Sequence, residues 1–373
     1  MKKKNVVEKA FKKVVEKTLM RKLISVILVL LVLVAFSACD SNPQHEDAVN
    51  VKLGVIETTG YKNKSYLHFF DEDLNFLYKE EVNYASLSEP FDNPICENGE
   101  VYIIPKGKFE KREETFVLKY NIKSDEYKLY NAQINSMNRL AVSSEFLFGV
   151  NCINGNSNLV RCSKEDLTNV TIKEFKHVYI AEMFVLNEKL YVIIHNEESK
   201  IIFAELSIET LEIVEQYDIT SYGSPCDLIE YKNKIYFSNQ YQDETLGTLS
   251  SNLTVFDIDK KSFEQIQLSE YSPNNLIIKD KRLFVSHYDR VQNQGNKISV
   301  VHLDTGTINT YELAHPIKQI SATDEYFYIL GDDCIYKYSY DGYQFTQMKN
   351  INISVDKSGT FYYIASFFIN RRL

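Results

Sequence analysis

Tryptophan is absent from this 373-residue chain, and glycine (13), proline (7), histidine (7) and cysteine (6) are all sparse. Each scarcity removes a class of function. With 44% hydrophobic and 25% charged residues beside so little glycine and proline, the chain is neither fibrous nor disordered. It contains no glycine-rich loop to cradle a phosphate and no Gly-x-Ser-x-Gly elbow, and its histidines show no metal-binding spacing, so no cofactor or metal is expected. Forty-two basic against 51 acidic side chains leave a net charge of −9. That balance argues against nucleic acid as a partner, because phosphate neutralisation needs clustered Lys and Arg. What the chain does have is 26 Tyr and 22 Phe.

The charge is uneven along the chain. Residues 1–22 carry nine basic and two acidic side chains, whereas residues 39–373 carry 33 and 49, a net of −16. Between them lies an uncharged run of 17 residues from Leu23 to Cys39, ending Ser37-Ala38-Cys39. A basic start, an apolar stretch and small residues before a cleavage point read as a secretory signal over residues 1–38, with Met20 offering a later start. The Cys after Ser-Ala resembles the cleavage site of bacterial lipoproteins, although Phe36 stands where Leu is usual. The resemblance implies lipidation of Cys39, cleavage before it, and a tether over 39–50 that holds the mature chain to the outer side of the cell membrane.

The remainder, residues 51–373, repeats. Turn residues followed by an apolar or aromatic run recur at Asn98, Ser144, Asn187, Asn233, Asp280, Asp324 and Ser358. Matching Tyr102, Leu147, Tyr191, Tyr236, Phe284, Phe327 and Phe361 gives steps of 43 to 48 residues, then a last step of 34. Downstream of each copy lies an alternating strand, a polar turn and another strand; the seventh such pair, Ser65 to Val82, precedes all copies of the first pattern. With strands called A to D in each unit, the N-terminal C-D pair and a C-terminal A-B pair complete one shared blade, and residues 51–58 add an extra strand to it. Four strands per unit at a period near 45 predict an all-β, seven-bladed β-propeller, closed so that no sheet edge is left open. The pattern resembles bacterial propellers of the YVTN and WD40-like class, without their Trp-Asp ending.

In such a ring the D-to-A and B-to-C connections share one face and the A strands line the channel. Counting back nine residues from the matched position (eight in the sixth unit) finds Asn93, Asn138, Glu182, Asp227, Asn275, Gln319 and Asn352. This predicts a polar ring at one mouth, although amides and carboxylates are also ordinary turn residues. Long B-to-C connections add Tyr241 and the run His287, Tyr288 and Arg290, while His195 closes another B strand. Tyr with amides suits a protein, peptide or glycan ligand, since each ring offers a flat apolar face and a polar tip. The reading is therefore a tethered binding protein. The alternative is a lyase or lactonase-like hydrolase using Glu182, Asp227, His195 and His287 at the channel mouth. Cys152 and Cys162 flank a turn that would place them opposite one another, a candidate disulfide.

Overall fold

A computed structural model describes residues 50–88, 93–243, 247–356 and 360–370, all within one compact unit, Asp47–Leu373. The expected signal segment, the expected lipidation at Cys39 and nearly all of the expected tether fall outside these residues. Twenty-eight strands form seven four-stranded antiparallel sheets. Their innermost strands touch in sequence around a closed circle. The chain is a seven-bladed β-propeller. Among the described residues no helix is long and apolar enough to cross a membrane.

The recurring turn pattern of the sequence is the A-to-B hairpin. Asn98-Gly99, Asn187-Glu188, Lys232-Asn233 and Asp280-Lys281 all take positive φ at both positions, and the flanking residues pair directly, as in Leu186 with Lys189 and Lys279 with Arg282. Two left-handed residues in a two-residue loop match the strand twist, and Asn and Asp tolerate that conformation. B and C strands are buried between neighbouring blades; Lys189–Asn196 holds five consecutive buried residues. The D strands face outward, and Ile213–Asp218 contains no buried residue. Tyr and Phe fill the spaces between sheets: Phe203 stacks on Tyr191 with centroids 5.3 Å apart and meets Phe237 of the next blade edge-on at 5.1 Å. Such pairs add about 1 kcal/mol each beyond their buried area.

The closing blade differs from the sequence expectation. Its order from the channel outward is Tyr363–Ile369, Leu53–Thr58, Ser65–Phe70, Phe76–Val82. Ser65 to Val82 is the C-D pair as expected. The C-terminus, however, contributes only strand A, and Leu53–Thr58 is strand B, not an extra strand. This moves Asn352 out of the polar ring: it ends the outer strand Phe345–Asn352 of the sixth blade, pairs with Cys334 and is exposed. The closure is sealed by a buried carboxylate. Glu57 Oε2 lies 2.7 Å from His68 Nε2, and its Oε1 accepts the backbone N–H of Asp356, so the last segment of the chain is bound to the first strand.

The candidate disulfide is also corrected. Asn154 and Gly155, with φ of 53° and 79°, form a two-residue turn that sets Cys152 opposite Ser157 and Cys162 opposite Leu147. Both cysteines are free, with Cys162 buried.

A charged network at the channel mouth and two clefts on its face

The A strands of the third, fourth and fifth blades, Val178–Leu186, Ser224–Tyr231 and Pro273–Lys279, are long, and each breaks register near its start. The breaks fall between Ile180 and Glu182, between Pro225 and Asp227, and between Pro273 and Leu276. A bulge turns side chains out of the regular alternation. Here it brings three of the expected ring residues, Glu182, Asp227 and Asn275, to one side of the channel mouth. Asn93 and Asn138 instead precede the short strands Ile95–Glu97 and Arg139–Val142. Gln319 opens Gln319–Ala322 and is tied in both directions to the backbone of Phe367, so it fastens the sixth blade to the closing one.

The sequence reading missed Arg139. Its guanidinium grips Glu182 with two bonds, Nε to Oε2 at 2.7 Å and Nη2 to Oε1 at 2.9 Å, while Nη1 donates to the Asn138 carbonyl at 2.6 Å. A bidentate, half-buried pair of this kind is far more fixed than an exposed ion pair. Next in the ring, Asp227 accepts the backbone N–H of Leu228 on Oδ1 and that of Leu276 on Oδ2, both at 2.8 Å. Burial raises the Asp227 carboxyl to about 6, against the pull of those two N–H groups and of Arg290, with Glu182 adding a small push upward. Arg290 closes the arc: its Nε donates to Asn274 Oδ1 at 2.8 Å and its Nη2 approaches the Cys226 carbonyl at 3.5 Å. The result is a row of two adjacent carboxylates flanked by two guanidinium groups, Arg139, Glu182, Asp227, Arg290, running across four blades.

The remaining candidates do not join it. His287 lies buried, its Nδ1 2.8 Å from the Tyr271 carbonyl and its Nε2 2.8 Å from Ser299 Oγ. Burial pushes its pKa down to about 4, so the ring is neutral and Nδ1–H donates. Tyr241 is buried with its hydroxyl 3.3 Å from Asp289 Oδ1, and the buried Tyr288 receives the Gln240 side-chain amide on its carbonyl. His195 is half-buried, with Nε2 3.4 Å from Ser224 Oγ.

Two clefts open on the face made by the D-to-A and B-to-C connections. The larger, about 520 Å³, lies where the fourth, fifth and sixth blades meet and is lined by Glu270, Tyr271, Ser272, Asn293, Gln294 and Lys297 among others. The second, about 440 Å³, lies between the second and third blades, with Cys152, His177, Tyr179, His195 and Glu197 in its walls.

No protein-family profile matches the chain, and no curated protein matches it in sequence. Solved structures match it in shape. A candidate 6-phosphogluconolactonase from Bacteroides uniformis is 14% identical with a TM-score of 0.58, covering 85% of this chain and 99% of that one. A second candidate 6-phosphogluconolactonase, from Bacteroides fragilis, is 12% identical with a TM-score of 0.59 over 85% and 98%. AztD from Citrobacter koseri is 11% identical with a TM-score of 0.52 over 86% and 98%. At these identities the likeness is one of fold.

Proposed function

We propose that this chain is a binding protein, held to the outer side of the membrane through a lipid on Cys39, that recognises a protein, peptide or envelope component through its D-to-A and B-to-C face. The observation that carries this reading is how the candidate catalytic groups are engaged. Both oxygens of Glu182 accept from Arg139, both oxygens of Asp227 accept backbone N–H groups, and both ring nitrogens of His287 face partners within its own blade or the connection leading into it. A general acid or base must be free to exchange a proton with substrate. These groups instead hold A strands and connections in place, while two open clefts on the same face present side chains to solvent.

The test is capture from a solubilised envelope by the immobilised domain, residues 50–373. One component should be retained by the wild type and by Val214→Asp, a change on an outer strand, and lost with Tyr271→Ala combined with Val291→Asp, an exposed residue of the turn between strands Arg282–Asp289 and Gln294–His302. Equal retention by all three forms overturns the reading. The hydrolase reading keeps one specific support, the raised carboxyl of Asp227 beside Glu182, and two of the structural neighbours carry candidate lactonase names. Opening of a sugar lactone by the wild type and not by Asp227→Asn would replace binding with catalysis.

A further inference from the structure

Tyr271 stands at the rim of the larger cleft with 61% of its surface exposed, although its own backbone carbonyl is fixed by His287. A single exposed ring is ordinary on a protein surface, but at the rim of a cleft it offers a flat apolar face to a ligand. Around it are groups that can both give and accept hydrogen bonds. The amides of Asn293 and Gln294 are exposed, and Glu270 and Lys297 form a 2.9 Å ion pair that is about one-third exposed on each side. Ser272, next to Tyr271, holds φ at 56° and is nearly buried; its hydroxyl finds no partner among the described residues. A non-glycine residue keeps a left-handed conformation where the surrounding structure enforces it. Tyr288 donates to the Ser272 carbonyl and Ser272 donates to that of Ser250, and these two bonds enforce it here.

The second cleft repeats this composition. It too is built from a B-to-C turn, the following D-to-A connection and the next blade's B-to-C turn. Tyr179, which lies in strand A itself and not before it as Tyr271 does, is 37% exposed, with His195 edge-on to it at 6.1 Å. Its polar pair is His177 and Glu197, 2.8 Å apart and exposed. A glycine lines each cleft, Gly155 from the preceding blade's B-to-C turn and Gly295 from the following blade's. Gly295 is required: a Cβ there would come within 2.2 Å of the His287 carbonyl oxygen.

We propose that these clefts are two saccharide subsites, and that the ligand of the face is an uncharged glycan chain with repeating units. This inference rests on the binding reading above. A sugar ring offers a C–H face that packs on an exposed aromatic ring and hydroxyls that each donate and accept, which is what Tyr271, Gln294, Asn293 and the internally neutralised ion pair present. A cavity near 500 Å³ is within the range that encloses a small ligand or one or two sugar rings. The net charge of −16 over residues 39–373 disfavours an anionic polymer. Recurrence of the site between blades suits a polymer in which one recognition unit recurs along the chain.

Titration of the labelled domain with chitotriose and with maltotriose, and co-sedimentation with chitin, a longer uncharged chain of the same sugar, test this directly. At least one of these probes should bind at roughly millimolar affinity or better, and Tyr271→Ala should weaken it about tenfold. Tyr179→Ala should weaken binding of the longer probe, and Val214→Asp should change nothing. Failure of all three probes to bind the wild type, or binding unchanged by Tyr271→Ala, overturns the saccharide assignment. Envelope capture separates the two levels: a protein retained by the wild type after glycan removal leaves the binding reading standing without the glycan, and no capture of any kind removes both.

Discussion

Asp227 and His287 should make opposite and nearly cancelling contributions to stability across mildly acidic pH. Burial raises Asp227 to about 6 from the ordinary carboxyl value, so the folded state holds its proton longer than the unfolded chain does. Stability from this group is therefore greatest at low pH and falls as pH rises through the window up to about 6. Burial lowers His287 to about 4, so the unfolded chain takes up the proton first. Its contribution is full at neutral pH and is lost as pH falls toward 4. Each shift spans roughly two pKa units at about 1.4 kcal/mol per unit, giving about 3 kcal/mol of opposite sign over much the same interval. The wild-type profile should show little slope from this pair. Asp227→Asn removes one arm, and urea unfolding between about pH 4 and pH 7 should then show stability rising by about 3 kcal/mol relative to the wild-type profile. His287→Gln should tilt the difference the other way. A flat difference profile for Asp227→Asn, or one that falls with pH, would refute the reasoning that burial governs the carboxyl.

Three further outcomes follow from packing and covalent state. Gly54→Ala places a Cβ about 2.0 Å from the Phe368 ring, so overpacking of the closing blade should cost roughly 1–3 kcal/mol and lower the melting temperature by several degrees in a thermal scan. Deleting residues 363–373 removes the buried Ile364, Phe367, Phe368 and Ile369, each worth about 2 kcal/mol of burial, and bares the edge of Leu53–Thr58; size-exclusion chromatography should find aggregate in place of the discrete species of the intact domain. Thiol titration of residues 50–373 in denaturant should count all five cysteines as reactive, and a count of three would restore the disulfide.

The repeat was legible because its turns are chemically explicit. Asn98-Gly99 and Asp280-Lys281 announce two-residue hairpins wherever they stand, and the apolar run after each marks a strand buried on both sides. The closing blade was not. Thr360-Phe-Tyr-Tyr-Ile364 imitates the start of a B strand, while the real B strand, Leu53–Thr58, carries Gly54 and a buried Glu57 and so reads as an appendage. In the Cys152 hairpin the deciding signal, Asn154-Gly155, was present in the sequence; centring the turn there shifts the pairing by five positions and separates the thiols. Arg139 and Asn274 could not be found by counting. Their roles arise when neighbouring blades meet and when a bulge displaces one residue, and neither event has a local signature.

The irregularities explain where function should concentrate on a ring built from near-identical parts. Perfect repetition would spread equivalent groups evenly around the channel and give a mouth with no preferred side. Long, bulged A strands in the third to fifth blades, and again in the closing blade, break that equivalence, against strands of three or four residues in the first, second and sixth. Charge gathers on the bulged side as the row from Arg139 to Arg290, and both Tyr-rimmed clefts flank the same blades. The closing blade carries a different burden: its buried Glu57 and His68, with Asp356 bonded to the same carboxylate, hold the two ends of the chain together. Closure and the clefts proposed for recognition thus lie on different blades, so substitutions in the clefts should leave the ring closed.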